Sequence, residues 1–170
     1  MEKAQMLLSE LHLCLAEIQV HRQAVEQFPH LSLATIQNPD VLLVEDLDDD
    51  FFFFRRVLSK LNITLAYVRF KDGFEARSYL ETNSHRPHLI FLDLKLPLVN
   101  GFELMEWLRP RQFYHQTQIV ILSASEDSKD MEKARSFGVA DYVVKPISIE
   151  SLKKSIQRWR GRLSGTRLAP

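Results

Sequence analysis

His88-Leu89-Ile90-Phe91-Leu92-Asp93 is an apolar run that ends in a carboxylate. A second apolar run, Val41-Leu42-Leu43-Val44, closes in the same way on Glu45 and Asp46. Short continuous apolar runs of this kind are typical of strands that are buried on both faces of a parallel sheet. The carboxyl ends of parallel strands meet at one edge, where open α/β folds bind their ligands. We therefore expect the three carboxylates to lie close together.

Two more apolar runs end in polar side chains that suit the same site. The run Ile119-Val120-Ile121-Leu122 ends at Ser123, and a run that begins at Ala140 ends at Lys145, just before Pro146. The four predicted strand ends therefore present three carboxylates, one hydroxyl and one ammonium group.

Strand-like and helix-like segments alternate from residue 41 onward. We predict strands at residues 41–45, 64–70, 88–93, 117–123 and 140–145, and helices at about 49–61, 74–82, 101–109, 127–137 and 149–160. Strictly alternating elements predict an α/β fold, a doubly wound five-stranded parallel sheet with helices on both faces. The flavodoxin-like strand order 2-1-3-4-5 places strands 1 and 3 side by side, and so brings Glu45 and Asp46 next to Asp93.

Residues 1–38 do not follow that alternation and are predicted to form an extra N-terminal amphipathic helix and a linker. Their apolar stripe has heptad spacing, broken by one arginine: Met1, Ala4, Leu8, Leu11, Leu15, Ile18, Arg22 and Val25. Because a single amphipathic helix cannot bury its own stripe, it must pack on its own domain, on a second copy or on another protein. We expect the main domain to span residues 39–163 and a basic tail to span 164–170.

Composition and charge narrow the class of protein. The net charge is zero, but residues 145–170 carry seven basic and one acidic side chain, a net of +6. A solvated last helix explains that excess more simply than direct nucleic-acid binding does. No apolar stretch approaches the ~20 residues of a membrane span. Cys14 is the only cysteine, so no intrachain disulfide is expected and the predicted location is cytoplasmic.

The polar strand ends predict a particular chemistry. Clustered carboxylates repel one another, and a hard cation with oxygen ligands, such as Mg²⁺, relieves that repulsion. Asp93 would then stay ionised and could attack a phosphoryl group, while Lys145 and Ser123 stabilise charge on the phosphoryl oxygens. Each residue also has a purely structural interpretation, because strand-end Asp and Ser often cap the next helix and a strand-end Lys is often solvated.

Four segments taken together resemble the signature segments of response-regulator receiver domains, in order and with the family's spacing over residues of about 40–161. They are Val41-Leu42-Leu43-Val44-Glu45-Asp46, then Phe91-Leu92-Asp93-Leu94-Lys95-Leu96-Pro97 with Asn100-Gly101, then Ile121-Leu122-Ser123-Ala124, and finally Asp141-Tyr142-Val143-Val144-Lys145-Pro146. The run Glu45-Asp46-Leu47-Asp48-Asp49-Asp50 is further similar to stand-alone receivers associated with bacterial phytochromes. Nothing after residue 161 is long enough for an effector domain, so a stand-alone protein is expected.

The resemblance assigns roles to residues of this chain. It implies that Asp93 is the phosphoacceptor, and that Asp46 binds Mg²⁺ directly, Glu45 binds it through water and the Lys95 backbone carbonyl completes the shell. It implies that Ser123 and Lys145 contact the phosphoryl group and that Tyr142 occupies the aromatic switch position. The upstream partner it implies is a sensor histidine kinase, for example one of phytochrome type, or a phosphotransfer protein, and the downstream partner is a protein target. No enzymatic activity is expected beyond self-phosphorylation and autodephosphorylation.

Three alternatives bear on this interpretation. A dehalogenase-like phosphatase needs a second Asp two residues after the nucleophile, where this chain has Lys95, and lysine has no proton-donating carboxyl group. A nucleotide or flavin site needs a glycine-rich loop after strand 1, which is absent. A degenerate receiver that binds proteins without phosphate is the open alternative.

The four phenylalanines from Phe51 to Phe54 cannot all face one core, so they predict an exposed apolar patch. Together with the heptad stripe of the N-terminal helix, this patch favours a homodimer.

Overall fold

The computed structural model describes residues 39–63, 65 and 67–166, and within them it forms one five-stranded parallel sheet of order β2-β1-β3-β4-β5. The strands are β1 (Val41–Val44), β2 (Tyr67–Phe70), β3 (Leu89–Asp93), β4 (Gln118–Ser123) and β5 (Asp141–Val144). The predicted strand order and parallel topology are confirmed. The predicted N-terminal helix and linker, residues 1–38, lie outside the described residues. No helix in the described ranges is long and apolar enough to cross a membrane.

Five α-helices alternate with the strands, as predicted. They are α1 (Asp48–Lys60), α2 (Gly73–Thr82), α3 (Gly101–Leu108), α4 (Ser128–Ser136) and α5 (Ile149–Thr166), and a short 3₁₀ helix, Gln112–His115, precedes β4. The last helix runs to Thr166, beyond the end near residue 160 that the sequence predicted. Residues 161–166 contain no proline, and a glycine inside a helix costs only about 1 kcal/mol, so nothing in this segment forces the helix to stop.

The sheet separates two hydrophobic cores because successive side chains of a strand point to opposite faces. In β1, Val41 and Leu43 pack into a core with α1 and α5, which we call the α1/α5 core. Leu42 and Val44 pack into the other core, which α2, α3 and α4 cover and which we call the α2–α4 core. All four residues are at most 1% exposed, which explains why β1 reads as a continuous apolar run rather than as an alternating one.

Local capping fixes where most of the helices begin. The Asp72 carboxylate accepts a hydrogen bond from the Glu75 amide at 2.8 Å at the start of α2. Asn100 and Glu103 form a reciprocal capping box at the start of α3, at 3.0 and 2.8 Å. No side chain caps α1, although three aspartates occupy its first turn, where they interact favourably with the helix dipole.

Gly101 lets the chain after β3 fold back tightly over the end of that strand. A Cβ atom at this position would lie 2.4 Å from the backbone oxygen of Asp93. No other residue type fits without movement of the backbone. The Asn100-Gly101 pair that the sequence singled out therefore places the start of α3 against the end of β3, beside the predicted phosphoacceptor.

Candidate functional site

The three strand-end carboxylates meet at the carboxyl edge of the sheet, as the sequence predicted. Glu45 and Asp46 directly follow β1, and Asp93 ends the neighbouring strand β3. One carboxylate oxygen from each of the three lies within 4.8 Å of the other two. Glu45 is 1% exposed and Asp93 is 4% exposed. Buried carboxylates at this spacing repel one another strongly unless a cation compensates them.

Lys145 reaches into this cluster from the end of β5. Its Nζ lies 2.6 Å from Asp93 Oδ2, 2.7 Å from Glu45 Oε2 and 2.9 Å from Asp50 Oδ2. Its side chain is only 6% exposed, so the ammonium group is largely removed from water and depends on these partners. The structure thus brings Lys145 together with Glu45 and Asp93, and adds Asp50.

Asp50 is a member of the cluster that the sequence analysis did not single out. It lies in the first turn of α1, within the acidic run Asp48-Asp49-Asp50. The run itself was visible in the sequence, but helix-dipole stabilisation is a sufficient reason for acidic residues in a first turn. The pattern could not indicate which of the three turns toward Lys145, because that depends on how α1 crosses the sheet.

Burial and charge together set the ionisation of the site. Burial raises the pKa of Glu45 to about 7, against a partial opposing effect of the Lys145 ammonium. Burial alone would lower the pKa of Lys145, but its hydrogen bonds to Asp93, Glu45 and Asp50 outweigh burial and raise that pKa. The site contains four carboxylates and one ammonium group: Glu45, Asp50 and Asp93 contact Lys145, and Asp46 lies beside Glu45 and Asp93. If all were ionised, the site would carry three uncompensated negative charges.

The residues present fit a divalent cation with oxygen ligands. Asp46 Oδ1 is buried and has no hydrogen-bond partner among the described residues. A buried carboxylate oxygen without a partner costs free energy that a cation would offset. Carboxylates and a backbone carbonyl are the ligands that Mg²⁺ accepts, together with retained waters. Near them, the Lys95 amide donates to Asp93 Oδ1 at 3.0 Å, while the Lys95 side chain is exposed.

Ser123 and Tyr142 are joined through the loop after β4. Ser123 is fully buried at the end of β4, and its Oγ accepts a hydrogen bond from the Ser125 amide at 3.1 Å. Its backbone oxygen accepts from the Lys145 amide at 2.8 Å. Tyr142 is half-buried against the α2–α4 core, and its Oη donates to the Ser125 backbone oxygen at 2.9 Å. Ser125 therefore contacts both residues that the sequence analysis proposed for phosphate sensing and switching.

The chain matches a known protein family and several of its members. Residues 41–157 match the response regulator receiver domain. A probable methanogenesis regulatory protein, FilR2 of Methanothrix harundinacea, is 30% identical over 121 residues, which cover 69% of this chain and 78% of that protein. The bacteriophytochrome response regulator AtBRR superposes with a TM-score of 0.62 at 31% identity, covering 72% of this chain and 93% of that chain.

A third relative has a metal ion bound in its structure. The receiver domain of the sensor histidine kinase PA1611 from Pseudomonas aeruginosa PAO1 superposes with a TM-score of 0.61 at 27% identity, covering 73% of this chain and 98% of that chain. Its structure has a magnesium ion coordinated in the active-site cleft. The family match spans well over half of this chain, in the same part of the molecule as the acidic cluster. The chain belongs to the response regulator receiver domain family of two-component signalling proteins.

Proposed function

We propose that this protein accepts a phosphoryl group on Asp93 from a histidine kinase or a phosphotransfer protein, with Mg²⁺, and signals through a downstream protein. As a receiver domain it is a signalling module rather than a catalytic enzyme in the usual sense. The observation that carries the proposal is the convergence of Asp93 with Glu45, Asp46 and Lys145 at one edge of the sheet. A merely structural strand-end aspartate would not need two more buried carboxylates beside it.

The geometry around Asp93 suits a nucleophile in in-line phosphoryl transfer. Lys145 and the Lys95 amide each bind one oxygen of the Asp93 carboxylate and so fix its orientation. In the transfer, an Asp93 oxygen attacks phosphorus, a P–O bond forms as the P–N bond to the kinase histidine breaks, and the imidazole takes up a proton. The ammonium group of Lys145, which contacts Asp93, would neutralise charge on the phosphoryl oxygens.

The metal would be held by Asp46 directly, by Glu45 through water, by Asp93 and by the Lys95 carbonyl. When bound, Mg²⁺ supplies positive charge that compensates the carboxylates and the phosphoryl oxygens. Ser123 Oγ accepts from the Ser125 amide, which leaves its own hydroxyl hydrogen available to donate to a phosphoryl oxygen.

We propose Tyr142 as the switch residue. Its ring packs at the margin of the α2–α4 core, and its hydroxyl holds the Ser125 backbone oxygen on the loop that Ser123 begins. A movement of Ser123 toward a phosphoryl group would shift that loop, break this hydrogen bond and let the ring turn inward. The surface formed by α4, β5 and α5 would then change, and this is the surface we assign to the downstream target.

The partner proposal rests on likeness to named relatives. AtBRR, which is described as a bacteriophytochrome response regulator, shares the fold and 31% of aligned residues with this chain. On this ground we propose a phytochrome-type sensor histidine kinase as the phosphoryl donor. A cytoplasmic location, which the single cysteine suggested, stays a prediction.

A homodimer is the proposed assembly. Phe52 is 59% exposed and Phe53 is 45% exposed on α1, so the prediction that part of the phenylalanine run faces outward is confirmed. If the apolar stripe of residues 1–28 pairs between copies, Leu11→Asp and Leu15→Asp should convert a dimer to a monomer in light scattering, because each buries a charge in an apolar seam. A mass that does not change in either variant would contradict this mode of pairing.

Intact-mass measurement tests the central proposal directly. The full chain, incubated with a small-molecule phosphodonor and Mg²⁺, should gain the mass of one phosphoryl group, and Asp93→Asn should not, because the amide is isosteric but not nucleophilic. Chelation of Mg²⁺ should abolish the gain in the unmodified protein. A wild-type protein that gains no mass would instead be a degenerate receiver, and a gain in Asp93→Asn would displace Asp93 as the acceptor.

A further inference from the structure

Arg69, on the strand next to β1, binds the backbone that carries two of the proposed metal ligands. Its Nε donates to the Glu45 backbone oxygen at 2.9 Å, and its Nη2 donates to the Asp46 backbone oxygen at 2.9 Å. Its Nη1 donates to Asp48 Oδ1 at 2.7 Å. One guanidinium group thus spans the whole loop between β1 and α1, from its first residue to the first turn of the helix.

The surroundings of Arg69 restrict it to this arrangement. Its side chain is only 13% exposed, and its guanidinium lies over the Phe51 ring at 4.3 Å from the centroid. A planar guanidinium with several fixed donors can bind adjacent carbonyl oxygens at once, whereas an ammonium group acts as a point charge. The bonds therefore define a geometry for the loop and do not merely place positive charge near it.

The other cations near the loop contact side chains and not its backbone: Lys145 lies 2.7 Å from the Glu45 carboxylate, and Lys71 lies 3.0 Å from the Asp48 carboxylate. The Glu45 amide donates to the Phe70 backbone oxygen at 2.9 Å, which continues the β1–β2 ladder by one step. Beyond that point Leu47 precedes α1 without a side-chain cap, and its amide lies 3.3 Å from Glu45 Oε1, a long hydrogen bond. The Asp46 carboxylate, which has an unpartnered buried oxygen, is thus oriented mainly through the backbone that Arg69 holds.

We infer that Arg69 is a positioning residue for metal binding: it fixes the loop on which Glu45 and Asp46 stand in the conformation that accepts Mg²⁺. This inference rests on the proposed function, because it assumes that Glu45 and Asp46 are the metal ligands. Groups that orient metal ligands without touching the metal commonly contribute ten- to a hundredfold to metal affinity. Loss of the Arg69 guanidinium should therefore weaken Mg²⁺ binding by about tenfold or more.

The substitutions Arg69→Gln and Arg69→Lys test the inference together. Arg69→Lys keeps the charge but lacks the planar fork that spans both carbonyls and Asp48, so Mg²⁺ affinity measured by calorimetry should fall in both variants. At saturating Mg²⁺ the maximal rate of Asp93 phosphorylation should recover, because the nucleophile and Lys145 are untouched. Hydrogen exchange of the metal-free variants should accelerate at the amides of residues 45–48 and not in the central strands. Far-UV circular dichroism confirms that each variant is folded.

Arg55→Gln is a matched control. The Arg55 guanidinium also lies over the Phe51 ring, at 5.6 Å from the centroid, and its removal deletes the same charge from the same neighbourhood. Asp48→Asn separates the ion pair from the backbone contacts, since it leaves both bonds to the loop carbonyls in place. Both control variants should bind Mg²⁺ within about twofold of the wild type, the scatter usual for a surface charge.

The outcomes separate this inference from the proposed function. Arg69 variants that bind Mg²⁺ as tightly as the wild type, or that lose affinity only as much as Arg55→Gln does, would overturn the role of Arg69 alone. A wild-type protein that binds Mg²⁺ but takes up no phosphoryl group would overturn the proposed function alone, and the affinity series would still decide the role of Arg69. A wild type without measurable Mg²⁺ affinity would overturn both.

Discussion

The residues of the candidate site extend from two different sides of the sheet. Side chains alternate along a strand, and Leu43, Phe91 and Val143 pack into the α1/α5 core. Two residues further along the three strands, Glu45, Asp93 and Lys145 turn toward the same side, where Asp50 of α1 meets Lys145. Ile121 and Tyr142 pack into the α2–α4 core, and Ser123, two residues after Ile121, turns toward that side. Glu45, Asp93 and Lys145 therefore extend from the α1/α5 side, whereas the proposed switch residues Ser123 and Tyr142 lie on the α2–α4 side.

The two sides of the sheet also differ in how deeply their aromatic rings are buried. On the α1/α5 side, Phe54 and Phe91 are at most 1% exposed and meet edge to face at 5.1 Å between ring centroids. Most of the aromatic rings on the α2–α4 side are only partly buried: Phe70, Tyr79, Phe102, Trp107, Tyr114 and Tyr142. A tightly packed side suits the proposed nucleophile, Asp93, which must be held still, and a looser aromatic margin suits the proposed switch residue, Tyr142, which must change position.

The largest expected effect is on the free energy of unfolding, and its size should differ between the two sides of the sheet. Phe54→Ala should lower the free energy of unfolding by about 3–5 kcal/mol, because it opens a cavity in a close-packed core. Phe102→Ala, on the partly buried margin of the other side, should cost clearly less, since it removes less buried area. Urea unfolding of both variants measures the difference. Equal losses would mean that the two sides are equally well packed and would contradict the inferred difference between them.

The exposed neighbour of Phe54 provides the matched control. Phe52→Ala removes a ring that is 59% exposed from the same helix, so the unfolding free energy should stay within about 0.5 kcal/mol of the wild type. A large loss would show that Phe52 is buried in the full-length protein, for example in the proposed dimer. Light scattering on the same sample distinguishes a dimer contact from a contact within one chain.

The fold and most of the charged site could be predicted because both depend on local sequence patterns. β1 and β3 are continuous apolar runs that lead directly to Glu45, Asp46 and Asp93, and Lys145 directly follows β5, so parallel topology brings these four residues together. The strand limits were less accurate. The sequence predicted that the first strand includes Glu45, whereas β1 ends at Val44 and leaves Glu45 in the loop that Arg69 binds.

Asp50 and Arg69 could not be predicted because their roles depend on contacts far apart in sequence. Arg69 lies in a strand whose pattern, Tyr67-Val68-Arg69-Phe70, reads as an ordinary edge strand with one solvated charge. Its partners on the β1–α1 loop are 21 to 24 residues away, and no spacing rule links them. Residues that touch the predicted site from a neighbouring element become visible only once the register of β1 with β2 is known.

An intermediate effect is expected for the two proposed metal ligands, Asp46 and Glu45. Asp46→Ala should weaken Mg²⁺ binding about tenfold or more, and Glu45→Ala should weaken it less, because Asp46 is the proposed direct ligand. Lys145 already contacts Glu45 at 2.7 Å, whereas Asp46 Oδ1 has no hydrogen-bond partner in the described residues. Calorimetric titration measures both affinities. Equal losses would contradict the ranking, and reversed losses would assign the direct contact to Glu45 instead.

Removal of the metal provides an independent test of the repulsion between the carboxylates. In a chelator, the Asp46→Ala protein should melt at a higher temperature than the wild type, because a buried carboxylate among like charges destabilises the metal-free fold. With Mg²⁺ present the order should reverse, since the wild type then gains binding free energy that the variant lacks. A melting order that Mg²⁺ does not change would contradict the inferred repulsion between the carboxylates.

The smallest expected effect concerns the switch side. Tyr142→Phe keeps the ring and removes the hydrogen bond to the Ser125 backbone oxygen, so the unphosphorylated protein should lose about 1 kcal/mol of unfolding free energy. If that bond holds the ring in its outward position, the variant should also turn the ring inward more readily after phosphorylation of Asp93. Fluorine NMR of a ring-labelled protein, with and without a phosphoryl mimic, would report the two positions. A ring that keeps one position in both states would make Tyr142 an ordinary packing residue and would contradict its proposed role as the switch.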